Sequence, residues 1–387
     1  MSVTSSFFNT SSGTAGELGA LVETVTPPET LPMAAHIERE VAIYDAATFA
    51  ATRDPSARER LLSELAYVLL DGAGVFIVKG AVAVPVVEAV TLEFEAIIAE
   101  QNAGGAAAGD HFAPAGANDR VWNALEKLAV RAPELFVDYY NNDAVALAST
   151  AWLGPGYQVT SQLNVINPGG AAQTPHRDYH LGFMNADQAI PFPSHVHTMS
   201  PLLTLQGAIA HCAMPVETGP TLLLPHSQKL RAGYVSAHRT DVQALFAERH
   251  VQLPLEVGDA MFFNPALMHA GGSNRTSNVR RMANLLQISS AFGRALEAVD
   301  RTRICRVLYP VFSDLVRSGR LVSDLESAIA ASAEGYAFPT SLDRDPPIGG
   351  MAPLCQADFL RRALAEGWSA EVFNAELDAL DQRRRSW

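Results

Sequence analysis

The segment TPHRDYHLGF, residues 174–183, places His176, Asp178 and His180 within five positions. Pro175 and the glycine pair upstream of it predict an extended backbone, because proline disrupts a helix and disfavours helical geometry in the residue before it. Side chains two positions apart in a strand share a face, so the first imidazole and the carboxylate point the same way. One imidazole and one carboxylate on a shared face are two of the three ligands of a 2-His-1-carboxylate metal site.

The best candidate for a third ligand lies in the segment GDAMFFNPALMHAGGSNRTSNVRR, residues 258–281. His269 ends a mostly apolar run just before a glycine turn, which is typical of the rim of a β-barrel pocket. Arg280 follows eleven residues later and opens the next strand. A guanidinium that enters a barrel needs an anion, and a bidentate carboxylate is a strong partner. Strand alternation then places Arg281 on the opposite face, whereas a bulge would exchange the two arginines.

The surrounding sequence predicts the architecture. From about residue 157, short strand-like runs alternate with Gly, Pro and Asn turns, a pattern typical of a β-sandwich or barrel. Helical periodicity precedes and follows this region. We expect a polar, flexible N-terminal tail (residues 1–40), a catalytic β-domain with N-terminal helices (residues 41–302), and a C-terminal helical extension packing on the core (residues 303–387).

Composition narrows the class of partner. The 387 residues are 48% hydrophobic and 18% charged, and the net charge of −13 argues against a polyanionic partner. No apolar stretch approaches the ~18 residues needed to cross a bilayer. The N-terminus lacks the pattern of a secretory signal, and three widely spaced cysteines predict no disulfide framework. We therefore expect a cytoplasmic protein with a small-molecule substrate, without a nucleic-acid or membrane partner, and with a homodimer as the candidate assembly.

The combination of His-x-Asp, a distant His and an Arg eleven residues beyond it resembles the phytanoyl-CoA dioxygenase (PhyH) family. The segments TGPTLLLPHSQK (residues 218–229) and EVGDAMFFNPALMHAGGSNRT (residues 256–276) resemble that family's Gly-rich strand and distal-His segment. The resemblance extends from about residue 65 to 290. The sequence departs from the family in PHSQK, where many members have Pro-Gly-Ser-His.

The resemblance implies a mainly β fold with flanking helices around a double-stranded β-helix core of the jelly-roll or cupin-like type. It implies an Fe(II)/2-oxoglutarate-dependent dioxygenase, with O2 as the second co-substrate, that releases succinate and CO2. His176, Asp178 and His269 would be the iron ligands and catalytic residues, and Arg280 would hold the distal carboxylate of 2-oxoglutarate. Gln173 and Thr221 resemble co-substrate contacts in fungal members. Because residue 178 is a carboxylate, hydroxylation or another C–H oxidation is the expected reaction.

The residues alone also allow other functions. A cupin-type metal-dependent isomerase or hydrolase would need the metal ligands but no buried arginine, and a non-catalytic relative would keep the fold as a metal-binding module. His195 and His197 form a rival metal pair, but the prolines before them favour a loop or lid. His180 is predicted to be a hydrogen-bonded structural residue, and His211 is predicted to pack in the core. Residues 343–350 suit either a lid or an ordinary surface loop.

Overall fold

The computed structural model describes residues 6–104, 118–180, 182 and 184–386. The α-helices are α1 (Ala15–Val22), α2 (Ala46–Ala50), α3 (Pro55–Leu70), α4 (Val84–Ala103), α5 (Ala124–Arg131), α6 (Pro133–Tyr140), α7 (Asp143–Leu153), α8 (Ala186–Ala189), α9 (Ser194–Met199), α10 (Gly233–Ser236), α11 (Thr240–Arg249), α12 (Arg301–Arg317), α13 (Glu326–Ser332), α14 (Gln356–Glu366) and α15 (Ala370–Arg384). Short 3-10 helices cover Pro28–Thr30, Ala51–Arg53, Ser200–Leu203, Val216–Thr218, Ser227–Lys229 and Val322–Leu325.

The strands are β1 (His36–Glu38), β2 (Val41–Asp45), β3 (Val75–Lys79), β4 (Asn118–Val121), β5 (Gln158–Ile166), β6 (Thr204–Ala210), β7 (Leu222–Leu224), β8 (Val251–Gln252), β9 (Ala260–Phe263), β10 (Met268–Ala270) and β11 (Arg281–Ser289). Among the described residues they form a large sheet in the order β1-β2-β3-β9-β6-β11-β5-β4 and a small sheet in the order β10-β7-β8. All neighbouring strands are antiparallel except the parallel β2–β3 pair. The two sheets with flanking helices are the double-stranded β-helix predicted from the resemblance.

Strand β11 shows how the large sheet separates the core from a cavity. One set of alternate side chains packs toward the flanking helices, and three of these residues belong to the main hydrophobic core: Met282, Leu286 and Ile288. The other set lines the interior cavity: Arg281, Ala283, Leu285 and Gln287. The last three of these are only half-buried, whereas the outer set is fully buried, because the helices cover the outer face completely.

The small sheet carries the distal part of the predicted metal site. An isolated bridge joins His269 of its strand β10 to His176. The HRD segment, residues 176–178, therefore lies as an additional extended segment beside β10. The prediction that residues around His176 are extended is therefore confirmed.

Pro225, His226 and Ser227 form a turn with histidine at its centre, where the resemblance leads one to expect glycine. His226 has φ +66°, in the left-handed region that glycine adopts most easily and that histidine adopts more often than most other residues. Its imidazole lies 3.0 Å from Nζ of Lys229 and 3.4 Å from a carboxylate oxygen of Glu40. The Ser227 hydroxyl of this turn accepts a hydrogen bond from the Met268 amide at 2.8 Å, one residue before His269. The turn therefore supports the strand that carries the distal histidine.

Part of the predicted N-terminal tail is folded onto the protein. Residues 1–5 lie outside the described residues, but Thr14 and Glu17 form a capping box at the start of α1. Leu18 is buried in a small hydrophobic cluster with Val242 and Phe246 of α11. The capping signature, a threonine followed three residues later by a glutamate, is visible in the sequence, although the polar composition around it suggested a tail.

The C-terminal helices pack tightly against one another. The rings of Tyr309 on α12 and Phe373 on α15 stack with centroids 3.8 Å apart, and Phe359 of α14 lies 5.5 Å from Phe373. Cys305 and Leu308 of α12 join the same core as the outer face of the large sheet. Among the described helices, none combines the length and the hydrophobicity that a bilayer crossing requires.

Candidate metal centre and its cavity

The structure brings His176, Asp178 and His269 together although ninety-odd positions separate them in the chain. One ligand atom from each lies within 4.8 Å of the others, and all three side chains are buried. Nε2 of His176 is 3.7 Å from Oδ1 of Asp178, and Nε2 of His269 is 3.8 Å from Oδ2. The backbone amide of each histidine donates to the carbonyl of the other, at 2.9 and 3.0 Å, which fixes the spacing of the two ligand segments.

Both imidazoles are oriented by backbone carbonyls. Nδ1 of His176 donates to the carbonyl of Thr174 and Nδ1 of His269 donates to that of Leu267, each at 2.8 Å. Since a carbonyl only accepts, Nδ1 carries the hydrogen in both rings and Nε2 presents its lone pair to the cluster. Burial, with the nearby His176 as the next contribution, lowers the pKa of His269 to about 4. The neutral imidazole, which is the metal-binding form, is thereby favoured.

The carboxylate of Asp178 is held by one oxygen only. The side-chain amide of Gln206 donates to Oδ2, while Oδ1 is buried and has no hydrogen-bond partner among the described residues. A buried carboxylate oxygen without a partner is costly, and a cation at the cluster would satisfy it. Two neutral imidazoles and one carboxylate are also the donor set of non-haem Fe(II) sites. The residues present therefore fit a ferrous ion.

The two adjacent arginines have exchanged the places expected for them. Arg280 does not enter the barrel: its guanidinium is exposed and pairs with Glu95 at 2.6 Å and Asp119 at 3.1 Å. Arg281 is 8% exposed and lines the cavity, and its Nη1 donates to the carbonyls of Thr218 and Gly272 at 3.3 and 3.0 Å. The expectation that Arg280 reaches the interior is thus corrected. The reason is the phase of β11, which begins at residue 281.

Arg281 is a buried cation without a protein counter-ion. Among the described residues, no carboxylate lies within ion-pair distance of its guanidinium, and burial lowers its pKa to about 10. A bound carboxylate would supply the missing negative charge and stabilise the guanidinium.

The other two predicted co-substrate contacts also line this cavity. Gln173 is anchored, because its Oε1 accepts a hydrogen bond from the Gly271 amide at 2.8 Å, and Thr221 lies next to β7 on the same wall. The cavity has a volume of about 420 Å³. Its apolar wall consists of Met214, Leu255, Met261, Phe263, Ala283, Leu285 and Leu296.

Several polar residues of the cavity were not identified from the sequence. Gln206 stands beside the candidate metal ligand, and a second polar region contains Arg120, Gln162, Gln287 and Glu297. Strand alternation in the segment RRMANLLQIS, residues 280–289, could have identified Gln287. Met282, Leu286 and Ile288 are the apolar, core-facing set, which leaves Gln287 and Arg281 for the opposite face.

The remaining histidines behave in different ways. His180 bonds Thr204 Oγ1 through Nδ1 at 2.7 Å, as expected of a structural residue, and His211 is buried, as predicted. The segment with His195 and His197 forms the short helix α9 rather than a loop, and His197 is buried against Tyr179. Residues 343–350 form turns, and none of them lines the cavity in the described part of the chain.

Comparison with known proteins agrees with this site. The family model for phytanoyl-CoA dioxygenase (PhyH) matches residues 70–282, which is more than half of the chain. No curated protein matches the chain significantly.

Solved structures give more distant likenesses. The chain is similar to the non-haem alpha-ketoglutarate-dependent epimerase SnoN from nogalamycin biosynthesis, at 20% identity over 62% of this chain and 82% of that one, with a TM-score of 0.42. It is similar to the carbocyclase SnoK from the same biosynthesis, at 19% identity over 60% and 86% of the two chains, with a TM-score of 0.44. It is also similar to EctD from S. alaskensis with 2-oxoglutarate and 5-hydroxyectoine, at 16% identity over 59% and 76%, with a TM-score of 0.44.

The family match, the two-sheet fold and the clustered His, Asp and His side chains lead to one conclusion: the chain belongs to the phytanoyl-CoA dioxygenase family of Fe(II)/2-oxoglutarate-dependent oxygenases.

Proposed function

We propose that the protein uses Fe(II), 2-oxoglutarate and O2 to hydroxylate a small molecule, or otherwise oxidise one of its C–H bonds, with release of succinate and CO2. His176, Asp178 and His269 hold the iron, and Arg281 holds the distal carboxylate of 2-oxoglutarate. Gln173 and Thr221 complete the co-substrate pocket. The observation that carries this proposal is a buried arginine without an acidic partner in the same cavity as the three ligand side chains.

When bound, Fe(II) and 2-oxoglutarate supply the oxidising chemistry by coupling decarboxylation of the co-substrate to oxidation of the substrate. The residues of the chain orient these groups. The carbonyls of Thr174 and Leu267 set both imidazoles, and Gln206 sets the carboxylate of Asp178. The apolar wall excludes bulk water, which strengthens the attraction between the Arg281 guanidinium and the co-substrate carboxylate.

A metal-dependent isomerase or hydrolase of the cupin type is the second candidate. Such an enzyme would use the same three ligands but would not need a buried arginine that has no carboxylate partner among the described residues. Arg281 therefore favours the 2-oxoglutarate-dependent reaction.

The test combines a binding measurement with a product measurement. Anaerobic addition of Fe(II) and 2-oxoglutarate should produce a weak visible charge-transfer band, and air with ascorbate should then release succinate. The Asp178→Ala variant should lose most metal affinity and most succinate release. The Asp187→Ala variant, at an exposed position of α8, is the matched control and should behave as the wild type. Absence of the band in the wild-type protein, or full metal affinity in Asp178→Ala, would contradict the proposal.

A further inference from the structure

A row of amide side chains crosses the cavity face of the large sheet. Gln206 on β6 lies directly opposite Gln287 on β11. Gln162 on β5 lies opposite Leu285, two residues before Gln287, and is therefore its diagonal neighbour on the same face. All three glutamines line the cavity. Since Gln206 donates to Asp178, the row begins at a candidate iron ligand and leads away from it across the sheet.

Arg120 on β4 determines which end of the Gln162 amide faces a ligand. Its Nη1 donates to Oε1 of Gln162 at 3.2 Å, and its Nη2 donates to Oδ1 of Asn164 at 3.3 Å. A guanidinium has donors only, so the accepting atom must be the amide oxygen. The Gln162 amide nitrogen is left as a donor that uses no hydrogen-bond acceptor among the described residues. The Gln287 side chain likewise makes no hydrogen bond within the described part of the chain, so this stretch of the row can bind an oxygen atom.

This end of the cavity carries side chains of both charges. Arg120 lies over the Trp122 ring at 5.0 Å, and Glu297 lines the cavity close enough for Arg120 to act on its carboxyl group. Oε1 of Glu297 accepts a hydrogen bond from the Asn123 amide at 2.7 Å, and burial raises the pKa of this carboxyl group to about 7. An ion placed here would be attracted by one of these side chains and repelled by the other, so it would gain little to offset the loss of its hydration. A neutral group loses no such hydration and is therefore favoured.

We propose that Gln162 and Gln287 form the substrate-recognition edge of the cavity, and that the substrate is an electrically neutral molecule whose carbonyl, ether or hydroxyl oxygen accepts a hydrogen bond from the Gln162 amide. This inference rests on the proposed function, because the Arg281 end of the same cavity must hold the 2-oxoglutarate. Trp122, Leu285 and Leu296 provide apolar surface for the body of such a molecule. The row begins at Asp178, so a molecule held by this edge extends along the sheet toward the iron position.

Three probes with one ring system separate charge from hydrogen bonding: 2-acetylnaphthalene, 2-naphthoate and 2-naphthylmethylammonium. Their dissociation constants are measured by anaerobic titration calorimetry on the protein loaded with Fe(II) and 2-oxoglutarate. We expect the neutral ketone to bind about tenfold more tightly than either ion, a preference typical of one satisfied hydrogen bond and an avoided charge. Equal affinities, or tightest binding of the naphthoate or the ammonium compound, would overturn the inference.

The variant Gln162→Glu isolates the donor. It keeps an oxygen for Arg120 but replaces the amide nitrogen by a second oxygen, so the ketone should bind about five- to tenfold more weakly. The affinity for 2-oxoglutarate should stay at the wild-type value. Gln382→Glu, at an exposed position of α15, makes the same chemical change away from the cavity and should alter neither affinity. Wild-type ketone affinity in Gln162→Glu would refute the role of the amide.

Failure of the dioxygenase proposal would be visible separately, as a missing charge-transfer band before any probe is added. In that event the probe series is repeated on the metal-free protein, where a preference for the ketone that Gln162→Glu abolishes still supports the recognition edge. Absence of that preference overturns it.

Discussion

Gln206 on β6 donates its side-chain amide to Oδ2 of Asp178, and Oδ1 of the same carboxylate is buried with no hydrogen-bond partner in the described residues. Gln206 belongs to the large sheet, whereas Asp178 lies in the HRD segment beside the small sheet. This contact therefore ties the HRD segment to the large sheet. It also sets the rotation of the carboxylate, because one oxygen is held and the other is left for the metal.

Replacing Gln206 by leucine should weaken metal binding by about 10- to 100-fold, the usual effect of removing a hydrogen-bond partner from a metal ligand. Titration with Co(II) or anaerobic Fe(II) measures this. Gln287→Leu is the matched control. Gln287 lies directly opposite Gln206 on β11 but forms no hydrogen bond with Asp178, so the metal affinity of this variant should remain unchanged. Equal metal affinity in Gln206→Leu and the wild type would show that the carboxylate needs no support.

Substitutions of the two adjacent arginines should have different effects on 2-oxoglutarate binding. Arg281→Lys keeps the charge but loses the forked geometry, and the dissociation constant for 2-oxoglutarate should rise about 10- to 100-fold. Arg280→Ala removes only surface ion pairs with Glu95 and Asp119 and should leave that constant unchanged.

Metal binding without 2-oxoglutarate should be retained in both arginine variants. A thermal unfolding scan checks that Arg281→Lys is folded, since it gives up hydrogen bonds to two backbone carbonyls. The opposite result, with Arg280→Ala losing 2-oxoglutarate, would restore Arg280 as the anchor.

His211 should make the folded protein sensitive to acid. Its ring is fully buried between Thr91 Oγ1 and the Tyr139 hydroxyl, each at 2.8 Å, and burial lowers its pKa to about 3. The unfolded chain, with a histidine pKa of about 6.5, binds this proton first, so stability is complete above pH 6.5 and falls as the pH drops toward 3. The contribution is about 1.4 kcal/mol per pH unit in that window.

Urea unfolding at several pH values between 7 and 4 measures this dependence. His211→Gln should flatten the slope by about one proton, whereas His238→Gln, at an exposed position, should leave it as in the wild type. A slope that is the same in His211→Gln and the wild type would assign the acid sensitivity to other groups.

The C-terminal helices should contribute strongly to stability through one aromatic stack. Phe373→Ala removes a fully buried ring that stacks on Tyr309, and should lower the free energy of unfolding by about 3–5 kcal/mol. Its neighbour Val372 is 47% exposed, so Val372→Ala should change stability by no more than about 0.5 kcal/mol. Comparable losses in the two variants would mean that the stack is dispensable.

The clustering of the three candidate ligands could be predicted from sequence because each part has a local signature. His176 and Asp178 share a face in any extended segment, and His269 ends an apolar run before a glycine turn. The prediction exchanged Arg280 and Arg281 because strand alternation separates residues into two faces but does not show which face points into the barrel. The packing of Met282, Leu286 and Ile288 against helices decides that question.

The polar groups around Gln162 could not be predicted by the same means. Arg120, Gln162 and Glu297 have no shared spacing, and they meet only because β4 pairs with β5 while the segment after β11 returns to the same end of the cavity. A polar side chain within a strand signals a solvent-facing position as readily as a cavity-facing one. Distinguishing them requires the three-dimensional arrangement.

Arg177, between two of the candidate iron ligands, extends away from them and donates to the carbonyls of Ser227 and Leu230. Its guanidinium occupies the space that a Cβ at Gly233 would need. Any larger residue at position 233 would therefore displace the guanidinium from these two carbonyls. Position 233, the first residue of α10, is thus restricted to glycine by the packing of an arginine that stands between two candidate iron ligands.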